Sequence, residues 1–183
     1  MSRLFPLLVG LMLLGGCASH YHYDVDPTPL KKGVTHYRLK DVQVNLTLGH
    51  GAIPGDTTFA PEQQLHKEFV DALTDALKTK GILAAPGDND VAEVVASIDF
   101  ERTFNIGGHA LNKPILSDLV KIEQNGQQLA SFGHSKYTTK YSYFEDLAVN
   151  AKITVFQWGA EDEPRDVKLV AESIVNDIAA LGK

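Results

Sequence analysis

The chain has 183 residues, 17 of them basic and 23 acidic, a formal net charge of −6 at neutral pH, and 44% hydrophobic residues. This is one domain's length, enough for a sizeable core, and the acidic balance works against nucleic-acid phosphates as partners. A lone cysteine, Cys17, excludes an internal disulfide, so packing has to supply the stability.

Arg3 leads an apolar run from Leu4 to Leu14 that ends at Gly15-Gly16, immediately before Cys17. A charged start, a greasy stretch and small residues have the layout of a secretory leader. The run is shorter than the roughly 20 residues a spanning helix needs, and no later segment is longer or more apolar. Residues 1–16 are therefore expected to be a removed leader. Its loss takes away Arg3 and no acid, which makes the remaining chain one unit more negative.

The junction "LGGC" resembles the lipobox of bacterial lipoproteins. The resemblance implies that the Cys17 sulfur carries the lipid, that cleavage falls just before it, and that the protein is bound to a membrane through its N-terminus. Two or more acyl chains hold a protein durably, whereas one does so only marginally. Ala18, in place of an aspartate, implies sorting to the outer membrane on the periplasmic side in the same family.

Residues 18–33, "ASHYHYDVDPTPLKKG", show no helix or strand period and read as a flexible tether, giving a lipidated cysteine and tether over 17–33 and a single domain over 34–183. Extended, such a tether reaches about 50 Å. From His36 to Leu48 the period becomes two, with Val42, Val44, Leu46 and Leu48 inward, which predicts a strand. The glycine-rich 49–58 is a loop. Pro61 and Gly81 bracket a helix whose inward line is Leu65, Phe69, Leu73 and Leu77.

Residues 91–104 alternate again, with Val94, Ala96, Ile98 and Phe100 inward; 105–114 is a broad turn. A third strand spans Ile115 to Gln124, in which Asp118 falls on the inward parity of Leu116, Val120 and Ile122 and calls for a bulge or an edge position. Asn125-Gly126 is a hairpin signal. It leads into a long polar strand over about 127–143. Residues 145–158 fit both periods, and the branched residues favour a strand over 151–157. From Pro164 the stripe Val167, Val170, Ala171, Ile174, Ile178 and Leu181 predicts the second helix.

The expected fold class is α+β: a two-layer sandwich with a mostly antiparallel sheet of four or five strands and two helices on one face. This order of elements is similar to that of small envelope lipoproteins of the lipopolysaccharide-assembly and transport-auxiliary types, with no functional residue to carry over.

His20 and His22, followed by Asp24 and Asp26, have metal-ligand chemistry on a segment without preformed geometry. His50 with Asp56, and His109 in "GGHALNKP", lie in glycine-rich turns that let a ligand approach the backbone. The acidic 87–90 and 161–163 lack the twelve-residue calcium-loop pattern. No zinc-hydrolase, serine-hydrolase, phosphate-loop or dinucleotide signature appears, so the expectation is no enzyme, no cofactor and no metal. Tyr137, Tyr141 and Tyr143 alternate as a one-sided aromatic ladder, a candidate interface whose plainer alternative is rings covering the end of the core. Trp158 is expected at the edge of the core.

Two functions follow. The first is an outer-membrane-anchored periplasmic adaptor or assembly accessory that meets an envelope protein. The alternative is a binder, or hydrolase, of a small ligand or cell-wall fragment, using the 49–58 and 105–114 loops. Convergence of His50 and His109 on a pocket containing an acid would favour the second.

Overall fold

The computed structural model describes residues 19–89 and 91–183. The leader, Cys17, Ala18 and Asp90 lie outside them.

Five strands form one sheet: β1 (Ser19–Asp24), β2 (Tyr37–Leu48), β3 (Ala92–Arg102), β4 (Ile115–Gln124) and β5 (Gln127–Thr138), in the spatial order β1-β5-β4-β3-β2. β2 and β3 run parallel, and the other pairs are antiparallel. A parallel pair needs a crossover. It is supplied by α1 (Glu62–Thr79), whose Leu65, Phe69, Leu73 and Leu77 are fully buried as the sequence periodicity predicts. α3 (Glu163–Ala180) packs beside α1 and buries Val167, Val170, Ala171, Ile174, Val175 and Ile178 in the same core. The fold is thus α+β, a mostly antiparallel mixed sheet with helices on one face.

Alternation holds best on the central strands. Val94, Ala96, Ile98 and Phe100 of β3 are buried and face Leu116, Val120 and Ile122 of β4. Leu48 departs from it: expected inward, it pairs with Arg102 as the last residue of β2 and is exposed.

Three segments differ from the sequence reading. Residues 19–24, read as part of a flexible tether, form β1 and pair with β5 from Ser19↔Ser135 to Asp24↔Ala130. The chain stays attached beyond it: Val25 N–H donates to the Leu129 carbonyl at 2.9 Å, and Leu30 is buried in the core. Gly182 makes room for that passage, since a Cβ there would stand 2.4 Å from the Leu30 carbonyl oxygen. Residues 19–33 show no apolar period because they form a short edge strand followed by one buried anchor, Leu30.

The expected strand over 151–157 does not form: 151–154 are the last residues of a helix, α2 (Tyr143–Thr154), Val155 and Phe156 follow it as a turn, and the fifth strand is β1. Glu145 accepts the Ser142 hydroxyl at 2.6 Å and its backbone N–H at 3.3 Å, the capping-box arrangement that starts a helix. Strand β5 ends at Thr138, short of residue 143. It is not solvated as expected: Leu129 to Gly133 are buried on both parities, between β4 on one side and β1 on the other.

A second, smaller core of Phe59, Phe104, Leu111, Val149 and Trp158 lies apart from the main one. It occupies the end of the sheet where β2, β3 and β5 finish and β1 and β4 begin, called the loop end below. Among the described residues no helix is long and apolar enough to cross a membrane.

Candidate ligand cleft at the loop end

The loop end is assembled around Trp158, which is fully buried. Its carbonyl accepts the Leu111 N–H at 2.7 Å, tying the 105–114 turn to the segment after α2. Asn105 donates from its side-chain amide to the Ile153 carbonyl at 3.0 Å, and Asn112 to the Phe104 carbonyl at 2.9 Å. These bonds satisfy backbone groups that a loop would otherwise leave unpaired.

The 49–58 loop meets this turn. Gly108, at φ +73°, sits so close that a Cβ would lie 2.5 Å from the Gly51 carbonyl oxygen and 2.7 Å from Ile53. Only glycine fits this approach. Beneath both loops, Arg102 at the end of β3 makes a buried two-pronged pair with Glu163, 2.6 and 2.7 Å, and donates to the Ala60 carbonyl at 2.8 Å. Burial raises the Glu163 carboxyl above its ordinary range, and the guanidinium opposes that rise.

Between the loops and the end of α2 opens a cleft of about 480 Å³, walled by Thr58, Phe59, His109, Lys152, Phe156 and Glu161. Its volume falls in the range of small-molecule sites, roughly 300–1,000 Å³. His109 is exposed at the rim, and Asp56 is near enough that the imidazole helps hold its carboxyl low, after the stronger effect of the Thr58 hydroxyl and N–H. Lys152 is positioned by Asp162 at 2.9 Å and lies 5.6 Å from the centre of the Trp158 ring. Phe156, half exposed on the rim, has φ +58°. A bulky residue in the left-handed region costs of order 1–3 kcal/mol and persists where the surroundings impose it, often beside binding sites.

The predicted site residues separate here. The two glycine loops converge, and His109 joins a cleft that contains an acid, Glu161. His50 is exposed and is not among the residues lining it. Lys152 and Phe156 had no motif to announce them, and Glu161 stood only in the acidic 161–163; they meet His109 at the end of α2 and in the segment that follows it. Of the acidic 161–163, Asp162 and Glu163 are committed to Lys152 and Arg102, and Glu161 lines the cleft. Asp88 accepts the Ala85 N–H, and Asp90 is outside the described residues. Among the described residues no group of three or more histidine, cysteine or acidic side chains is arranged to hold a metal ion.

The tyrosine ladder does not form one face. Lys136, at φ +52°, breaks the alternation. Tyr137 donates to Asp118 at 2.7 Å, and Tyr141 donates to Asp166 at 2.5 Å, which also accepts Thr139. Burial and these carboxylates push both phenol pKa values up. Tyr143 alone of the three is well exposed. Asp118 keeps the inward parity that raised a conflict in the sequence. It is buried and is met by Tyr137 and by His134 Nδ1 at 3.2 Å, with a register shift between Leu116 and Asp118. His20 stacks on His134 at 4.5 Å and His22 bonds Asp24 at 2.6 Å, so the N-terminal histidines serve the strand edge.

A second depression of about 1010 Å³ runs outside the helix layer between α1 and α3, among Glu68, Asp71, Asp75, Lys78, Lys168 and Glu172. It is wide and lined with charges of both signs, several already paired along their own helix.

No protein-family model and no curated protein matches the chain. Among solved structures, a point variant of the PelC dodecamer from Paraburkholderia phytofirmans is similar at 10% identity and a TM-score of 0.35, over 81% of this chain and 97% of that one. An uncharacterized protein is similar at 15% identity and a TM-score of 0.36, over 79% and 98%. The PelC dodecamer from the same organism in another crystal form gives 10% and 0.30, over 81% and 97%.

Proposed function

We propose that this chain is an envelope lipoprotein, anchored through Cys17 to the periplasmic side of the outer membrane, whose domain binds a small ligand of the cell-wall-fragment class in the loop-end cleft. The observation that carries the binding function is the convergence of the 49–58 and 105–114 loops on a cleft that combines His109, Lys152 and Glu161 with the exposed ring of Phe156. A ring face with hydrogen-bonding groups of both signs suits a saccharide or short peptide fragment, which presents apolar C–H faces and polar edges together. The reading is of binding without turnover. Lys152 is already engaged by Asp162. The anchor rests on the residues around Cys17.

Binding through a protein-contacting tyrosine ladder has less support, because Tyr137 and Tyr141 spend their hydroxyls on buried aspartates.

Calorimetric titration with purified wall glycan oligosaccharides and muropeptides tests the site. Wild-type protein is expected to bind one of them, and His109→Ala and Phe156→Ala to weaken it about tenfold or more. Cys17→Ala is expected to leave that affinity unchanged while blocking removal of the leader and altering membrane retention. Absence of binding to either ligand class by well-folded wild-type protein would remove the cleft as the functional site.

A further inference from the structure

α2 is an unusual helix for a domain of this size. Val149 is its buried residue, while Tyr143 (74% exposed), Phe144 (81%) and Leu147 (54%) face outward, followed by Val155 (57%). Ala148 and Ala151 are exposed between them, so an apolar stripe runs the length of the helix. Ile106, 94% exposed, stands on the neighbouring turn, which Asn105 fastens to the end of α2. Exposed apolar residues scattered singly need no explanation, but a contiguous group on one element marks a contact surface. The two carboxylates on its flank are each met by a cation, Glu145 by Arg165 at 2.9 Å and Asp146 by Lys113 at 2.5 Å. The local charge is therefore balanced despite the acidic chain.

The path of the chain says what meets this surface. Ser19 pairs with Ser135, three residues before β5 ends, so β1 begins at the loop end, the end that carries α2. Cys17 precedes Ser19 by two residues, which span at most about 7 Å. An anchor placed there holds the loop end to its membrane at short range, in contrast to the long reach of a flexible tether.

We infer that the exposed stripe of α2, with Ile106, rests in the interfacial layer of the bilayer that holds the lipidated Cys17, so that the domain lies loop end down on the membrane. The inference builds on the anchor proposed above. A short helix can rest an apolar stripe in the interface plane without spanning the bilayer, phenylalanine and leucine dipping toward the acyl boundary and tyrosine staying at the headgroup level. The acyl chains supply the attachment, and the stripe sets the orientation. Phe156 borders both this surface and the cleft, which places the cleft mouth at the headgroup layer.

The test uses full-length protein extracted from envelopes and reconstituted in vesicles of phosphatidylethanolamine and phosphatidylglycerol, with lipids brominated along the acyl chains. The native tryptophan, Trp158, is fully buried, so a second one reports separately. Phe144→Trp and Ile106→Trp are expected to show blue-shifted emission and strong quenching by the bromines. Gln127→Trp, exposed on the hairpin at the opposite end of the sheet, is expected to show neither. Serine at Phe144 and Leu147 together is expected to loosen the orientation and cut quenching at position 106 severalfold. Water-like, unquenched emission at both 144 and 106 would overturn the inference, as would protection of 144 only after an envelope protein fraction is added, which would assign the stripe to a protein. Mass analysis of the same extract separates the two failures. An intact leader or free Cys17 thiol overturns anchor and orientation together, whereas an acylated Cys17 with unquenched probes overturns the orientation alone.

Discussion

Arg102 and Glu163 show what single residues contribute here. Both are buried, and their two short bonds join the end of β3 to the first turn of α3. Removing one partner strands a charge, so Glu163→Leu is expected to cost about 3–5 kcal/mol in urea unfolding, while the double replacement Arg102→Met with Glu163→Leu regains most of it. Equal losses in the single and double variants would mean that the pair matters through shape alone. The tyrosines give a graded comparison. Tyr137→Phe is expected to leave Asp118 one donor short and to cost about 1–3 kcal/mol, and Tyr143→Phe to change nothing measurable in the same assay, because its ring is exposed. The sequence showed three alternating tyrosines. Which of them turns inward was decided by the left-handed Lys136 and by the positions of Asp118 and Asp166, residues far away in the chain.

At the scale of elements, β1 and α2 are where sequence reading and structure part. β1 covers the β5 edge, and an uncovered edge is a template for pairing with another chain. A version beginning at residue 34 is therefore expected to self-associate in size-exclusion chromatography, whereas one beginning at residue 19 stays monomeric. Leu30→Ala is expected to destabilise by about 2–5 kcal/mol, since the side chain is buried in the main core. A monomeric, equally stable 34–183 would show that the first strand is dispensable. For α2 a signal was present: Ser142 and Glu145 stand at capping-box spacing, and that local chemistry outweighs the period-two run of Val149, Ala151, Ile153 and Val155. β1 carried no comparable signal. Six residues with alternating histidine and tyrosine look like solvated chain until an edge is there to receive them.

For the whole molecule, pH separates two sets of acids. Asp166 is raised above its ordinary range, chiefly by burial, against the bonds it accepts from Thr139 and Tyr141; Glu163 and Asp177 are raised by burial as well. The folded state holds protons on these groups more tightly than the unfolded chain does. Their contribution is fully present below the unfolded values of about 4 and is lost as pH rises through the folded ones. Glu145 and Asp146 are lowered, first by their hydrogen bonds from Ser142 and Lys113, and act in the opposite sense, losing their contribution as pH falls through their folded values. The melting temperature is therefore expected to be higher near pH 5 than near pH 8, with a fall below about pH 4. Asp166→Asn keeps an acceptor for both hydroxyls and is expected to flatten that profile. A wild-type profile that rises from pH 5 to 8 would contradict the burial argument.

The alternating strands β2, β3 and β4, the faces of α1 and α3, and the α+β class follow from local periodicity, because burial on one face of an element repeats at the element's own period. The leader-and-lipobox reading around Cys17 is likewise a matter of adjacent residues. Only the tertiary structure decided that residues 19–24 pair with β5, that α2 is a helix with its apolar side outward, and that His109, Lys152, Phe156 and Glu161 share one cleft. Those outcomes depend on partners distant along the chain, and a period carries information about which way a side chain faces but none about what it meets.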